Sequence, residues 1–164
     1  MNRSKTLVVG LGNPILGDDG VGWRVAEAVQ TAVPHIQVEF LALGGLSLME
    51  RLIGYDRVII IDSIQTKNGR TGEVSTFPLQ ALPDLSAGHT TAVHDTSLQT
   101  ALALGRQMGA QLPDDITIVG IEVTRVYDFS DELTPEVETA IPQAVTAVLK
   151  LLQTTPEIEC FSTP

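Results

Sequence analysis

Four consecutive β-branched residues, Val58-Ile59-Ile60-Ile61, stand between Arg57 and Asp62. A strand with one face in water alternates apolar and polar side chains, so an unbroken apolar run of this kind is buried on both faces. Burial on both faces is the condition of a strand inside a parallel sheet that helices cover on each side. The rest of the chain has to supply those helices.

It does so in alternation. Thr6–Gly10 reads as a first strand, followed by a Gly/Pro loop through Gly17 and a helix to about Val33. In that helix Val21, Val25, Ala28, Val29 and Ala32 recur at three- and four-residue steps, and Pro34 stops it. Gln37–Leu43 reads as a second strand, and Gly44-Gly45 turns the chain into a short helix over about Leu46–Ile53. The third strand is Arg57–Asp62, and Gly72–Phe77 is a further strand at an edge beside Pro78. Pro83–His94 has no period and reads as a surface loop, with a helix from Asp95 to about Met108. Asp115–Val123 is another buried strand. Thr134-Pro135-Glu136 reads as a helix start, with Thr134 as cap and proline in the first turn, and that helix reaches about Gln153. Such a series predicts an α/β fold: a three-layer sandwich with a twisted, mostly parallel sheet and helices on both faces. A single domain over 1–153 is expected, with 154–164 as a loose tail.

Composition narrows the function. Apolar residues make up 43% of the chain and charged residues 18%, enough for a core and too little charge for a disordered chain. Ten Lys+Arg against twenty Asp+Glu give a net charge of −10, which repels phosphate backbones, so no nucleic-acid partner is expected. The one cysteine, Cys160, excludes an intramolecular disulfide framework and any multi-cysteine zinc site. The apolar run after the N-terminal basic residues, Leu7–Val9, is far short of an export signal or a membrane span, so a cytoplasmic, membrane-free protein is expected.

In folds of this class ligands collect beyond the carboxyl ends of the strands. Asn13, Asp18 and Asp19 follow strand one, Gly44 and Gly45 follow strand two, and Asp62 ends strand three. His89 and His94 lie in the long loop, and Tyr127 and Asp128 follow the last strand. Two carboxylates and a histidine at one sheet edge can hold a divalent metal with open coordination positions. Each residue also has a plainer use. Asp18 or Asp19 suits the cap of the first helix, Asp62 a turn, and His94 a solvated loop beside Asp95.

Other readings of the glycine loop fail on particular residues. A dinucleotide fingerprint needs a small residue where Ile15 stands and an acid after the second strand, where the chain reads Leu41-Ala-Leu-Gly44. No Gly-Lys-Ser/Thr follows for a phosphate loop. The opening Gly10-Leu-Gly-Asn-Pro14 also looks like that of peptidyl-tRNA hydrolases, but no histidine precedes His35. There is no H-E-x-x-H and no G-x-S-x-G, and Cys160 sits in the expected tail with nothing to fix it against a base.

The stretch Leu7-Val-Val-Gly-Leu-Gly-Asn-Pro-Ile-Leu-Gly-Asp-Asp-Gly-Val-Gly22 closely resembles the nickel-iron hydrogenase maturation endopeptidases. The likeness continues at Gly44-Gly45, Val58–Asp62, His94-Asp-Thr-Ser-Leu98, Ile118–Glu122 and Leu133-Thr-Pro-Glu136, so it spans nearly the whole chain. The resemblance implies an enzyme that removes a C-terminal extension from the precursor of a hydrogenase large subunit after nickel has been inserted. It implies a metal-contacting and catalytic set of Asp19, Asp62 and His94, and a substrate-facing turn at Gly44-Gly45. The first of these positions is Asp or Glu among relatives; Asp19 is one methylene shorter than Glu, and Asp18 is its neighbouring rival. Nickel would be carried by the substrate, with the enzyme metal-free alone and monomeric. The metal would polarise the scissile carbonyl or acidify a water, or would serve recognition only; both stay open here, as does the general base. A non-catalytic, nickel-dependent checkpoint or chaperone for the large subunit is the alternative reading, since the same ligands would serve it.

Overall fold

Val58, Ile59, Ile60 and Ile61 are each no more than 1% exposed, and the sheet is built outward from them. The computed structural model describes residues 4–81, 92–124 and 128–154, with residues 92–97 described by backbone alone. Five strands form one sheet: β1 (Thr6–Leu11), β2 (Gln37–Leu41), β3 (Arg57–Ile64), β4 (Val74–Pro78) and β5 (Asp115–Glu122). Their spatial order is β2-β1-β3-β5-β4, which puts β3 at the centre. All pairs are parallel except β4, which runs antiparallel along the outer side of β5. Pro78 ends that edge strand, where a missing N–H breaks no central ladder.

Among the described residues four α-helices cover the sheet: α1 (Val21–Ala32), α2 (Gly45–Leu52), α3 (Ala92–Gln107) and α4 (Pro135–Gln153). The two-residue period of the strands sorts their side chains. Leu7, Val9, Val58, Ile60, Ile116 and Ile118 share one core with Leu48 and Leu52 of α2 and Leu98 and Leu102 of α3. Val8, Ile59, Ile61, Val119 and Ile121 share the other with Val25 and Val29 of α1 and Val137 and Ala144 of α4. At roughly 1.5–3 kcal/mol for each fully buried aliphatic side chain, these two layers are the main stabilising term. The packing of α1 is unusually close because Gly22 has no side chain. A Cβ there would lie 2.4 Å from the carbonyl oxygens of both Leu11 and Ile61. The start of α1 is thereby seated on the ends of β1 and β3.

The sandwich with helices on both faces of a mostly parallel sheet is as the sequence predicts; several boundaries are not. β3 runs two residues past Asp62, because β5 is equally long and offers Ile121 and Glu122 as partners for Ser63 and Ile64. Asp62 is therefore inside the strand rather than at its end. β2 stops at Leu41 and not Leu43: Gly12 N–H donates to Leu41 O at 3.0 Å, and β1 then offers nothing further to pair with. The expected loop to His94 is also too long. α3 begins at Ala92, a strong helix former, so His94 stands in its first turn. Thr134 holds the N-cap position of α4, but its hydroxyl makes no cap hydrogen bond. His89, Tyr127, Cys160 and the expected tail from Thr155 lie outside the described residues.

The last helix is tied down by a charge. Arg57, 7% exposed, directs Nη1 to Leu151 O at 2.6 Å and to Thr154 O at 2.9 Å. These are carbonyls that a helix C-terminus leaves without internal partners, at its negative end. Nε of Arg57 lies 2.9 Å from Asp115 Oδ2, an ion pair whose N–H is not aimed for a hydrogen bond. Arg57→Ala is expected to cost about 2 kcal/mol, the scale of charge-assisted hydrogen bonds. A chain of this size would then melt roughly 4–8 °C lower. Thermal unfolding followed by circular dichroism checks this; a midpoint within about 1 °C of the parent would show that the clamp contributes nothing.

Candidate functional site

A sheet in which β1 sends the chain one way and β3 the other leaves a crevice between them, outside their carboxyl ends. Here the crevice is a cleft of about 300 Å³. Its walls come from three segments: Leu11–Asn13, Leu16 and Asp19 after β1, Ala42–Gly44 after β2, and Asp62 with Ser63 on β3.

The first wall depends on a turn that only glycine tolerates. Gly12 has φ of +134°, and a Cβ on it would lie 2.0 Å from Asp19 O. The loop can therefore fold back onto the strand end. Asp19 Oδ2 accepts a hydrogen bond from Asn13 N–H at 2.8 Å, and its Oδ1 accepts one from the Ser63 hydroxyl at 3.1 Å. Asn13 Oδ1 in turn accepts from Ile15 N–H at 3.1 Å. One carboxylate thus ties the loop to itself and to β3. Each carboxylate oxygen has a second lone pair, so this set still has acceptor capacity for a cation.

The neighbouring acid has a different task. Asp18 and Asp19 lie in a 3-10 turn, Gly17–Gly20, where successive side chains diverge by a third of a turn. Asp18 is 8% exposed, against the half-buried Asp19. Its Oδ1 accepts from Thr134 N–H at 2.7 Å and its Oδ2 from the Thr134 hydroxyl at 2.8 Å. This is why Thr134 does not cap its own helix: its hydroxyl is donated to Asp18. The acid from the first loop takes the place of a cap at the positive end of α4. Neither Asp18 nor Asp19 caps α1, whose N-cap is Gly20 with no side-chain bond.

On β3, alternation puts Asp62 on the side of Val58 and Ile60, which α2 and α3 cover, and Ser63 on the side of α1. Ser63 was not singled out by sequence; its only signal is its place beside Asp62 on the opposite face. α3 runs back toward the start of β5, so its first turn, with the backbone of His94, stands at the carboxyl end of the sheet. The His94 side chain lies outside the described residues. Among the described residues no three His, Cys, Asp or Glu side chains form a metal-binding group. Asp19 and Asp62 are the two described carboxylates that line the cleft. Gly44 lines it as well, with Gly45 next to it at φ +55° opening α2. Asp128 is exposed and does not line the cleft, and His35, after α1, lies near the opposite edge of the sheet.

Comparison with known proteins gives one consistent result. A family model described as hydrogenase maturation protease, HycI, matches residues 23–151. Hydrogenase 2 maturation protease of Escherichia coli is 30% identical over 152 residues, covering 91% of this chain and 91% of that one. Hydrogenase expression/formation protein HupD of Rhizobium leguminosarum is 26% identical over 152 residues, covering 91% of this chain and 74% of its own. Among solved structures, the hydrogenase maturating endopeptidase HybD from E. coli superposes with a TM-score of 0.73 at 30% identity, over 90% of this chain and 91% of that one.

The division between the adjacent acids is testable by stability. Asp18→Ala leaves the Thr134 amide without its partner and is expected to cost roughly 1–3 kcal/mol. Asp19→Asn keeps an acceptor for Asn13 and is expected to cost less than about 1 kcal/mol. Urea unfolding of both variants decides; equal losses would contradict the assignment of separate tasks.

Proposed function

This chain belongs to the hydrogenase maturation protease family and is a hydrolase of peptide bonds, and from that premise we propose that it removes the C-terminal extension of a nickel-iron hydrogenase large-subunit precursor after nickel has been inserted. The observation that carries this reading is that Asp19 and Asp62, 43 positions apart in the chain (62 − 19), line one cleft at the reversal of strand order. A pair of oxygen donors facing a cleft suits a metal ion that arrives with the substrate.

In this reading Asp19, Asp62 and His94 are the metal-contacting set and the catalytic residues. Nickel belongs to the precursor. The enzyme offers oxygen and nitrogen ligands to an unfilled coordination sphere, and binding depends on whether the metal has been loaded. The scissile segment lies along Gly44-Gly45, where the absence of side chains lets a peptide backbone approach. Bound there, its carbonyl is next to the ion that the three side chains help to hold, which orients it for attack by water. Asn13 and Ser63 fix the Asp19 carboxylate so that it need not reorganise when the ion arrives. The enzyme works as a cytoplasmic monomer without a metal of its own. Its charge of −10 favours a protein substrate over a nucleic acid. Among the described residues no helix is long and apolar enough to cross a membrane.

Purified precursor, nickel-loaded or nickel-free, incubated with the protein tests this. The mass spectrum is expected to show loss of the C-terminal peptide from the loaded form alone. Asp62→Ala and His94→Ala are each expected to slow cleavage by about 100-fold or more while the fold persists. Equal cutting of both precursor forms would overturn the metal readout. An unchanged mass with a stable complex would make the protein a checkpoint rather than a protease for this substrate.

A further inference from the structure

The wall that carries Asp19 has a second side. Along residues 13–20 the chain repeats every three positions: Asn13, Leu16 and Asp19 face the cleft, while Pro14, Gly17 and Gly20 face another cavity of about 420 Å³. Ile15, 55% exposed, belongs to neither set. The second cavity is larger than the cleft, and no step of the proposed reaction uses it.

Its aromatic lining is fixed before anything binds. Trp23 donates Nε1–H to Leu41 O at 3.1 Å, and its ring packs on Phe40 with centroids 5.7 Å apart at 59°. The one polar side-chain atom of Trp23 is thus satisfied, yet the residue remains half-buried beside the cavity. A rigid aromatic wall with open space against it is the form of a pocket for an apolar anchor residue of a protein partner. At the mouth stand the exposed acids Glu27 and Asp131. The Arg24 guanidinium is turned toward the Asp131 carbonyl, to which Nη2 donates at 3.2 Å. Asp128 and Glu132, also exposed, precede and follow that residue on the same loop, and Phe129 between them is 84% exposed.

We propose that this cavity is an exosite for the substrate protein, taking an apolar side chain of the precursor that has a lysine or arginine beside it. The proposal rests on the reading that a large-subunit precursor is the substrate, and it adds a contact away from the scissile bond. Charge selects this occupant over two others. A second copy of this chain would bring a net charge of −10 against an acidic mouth. The chain's own C-terminal residues, with Glu157 and Glu159 and no cation after Lys150, would be repelled in the same way. Because loop 13–20 lines both cavities, a substrate held in the exosite is held next to the cleft.

The test compares the parent with Glu27→Lys/Asp131→Lys and with Trp23→Ala on nickel-loaded precursor, by cleavage kinetics and by direct binding. Both variants are expected to raise KM and Kd at least about tenfold with kcat within about twofold. The charge variant changes only exposed residues, so it decides should Trp23→Ala fail to fold. Unchanged KM and Kd in the charge variant, with the parent cleaving normally, overturn the exosite and leave the protease reading intact. A parent that binds without cleaving, with binding weakened by the substitutions, supports the exosite and overturns the processing reading. A parent that neither binds nor cleaves overturns both.

Discussion

A strand buried on both faces can place polar chemistry only at its ends. Between Arg57 and Asp62 the central strand has no polar side chain, so Arg57 marks one rim of the sheet and Asp62, with Ser63 after it, the other. Arg57 at one rim is spent on the C-terminus of α4. Asp62 at the other opens into the cleft. The strand order then does the rest. With β1 beside β3 and the chain leaving them in opposite directions, the loop after β1 has to pass beside Asp62. Fold and site are in this sense the same constraint: the doubly buried run that forces the sandwich also forces its carboxylate to the crevice.

Two adjacent acids in that loop show how a short turn separates structure from chemistry. A 3-10 turn points neighbours in different directions, so Asp18 goes inward to the start of α4 and Asp19 outward to the cleft. The inward acid fixes the turn, and the fixed turn aims the outward one. Asn13 and Ser63 complete its placement from both sides. The Asp19 carboxylate is therefore held in one orientation, and under the proposed function that would reduce the reorganisation needed to bind a metal.

Much of this was legible in the sequence, for reasons particular to its segments. Val58–Ile61 and Ile116–Ile121 announce buried parallel strands, and the apolar stripe Val21, Val25, Val29 announces α1. The residues expected beyond the strand ends, Asp19, Asp62 and Gly44, do line one cleft. What local pattern could not reveal was long-range. The bond from Asp18 to Thr134 spans 116 positions, and nothing near either residue indicates it. The extension of β3 through Ile64 is dictated by its partner strand, and the early start of α3 puts His94 on a helix where no period marked one. The second cavity is likewise invisible, since it is formed by the first loop, α1, β2 and the loop of Asp131 and Leu133, far apart in the chain.

Nickel K-edge X-ray absorption on the loaded precursor, recorded alone and then bound to this protein, is the most direct test of the central claim. Asp19, Asp62 and His94 reaching the ion predict a new shell of oxygen and nitrogen scatterers on binding, diminished in the complex with Asp19→Ala/Asp62→Ala. An unchanged nickel spectrum in a complex shown to be intact would contradict it, because the carboxylates would then line the cleft without ever touching the metal.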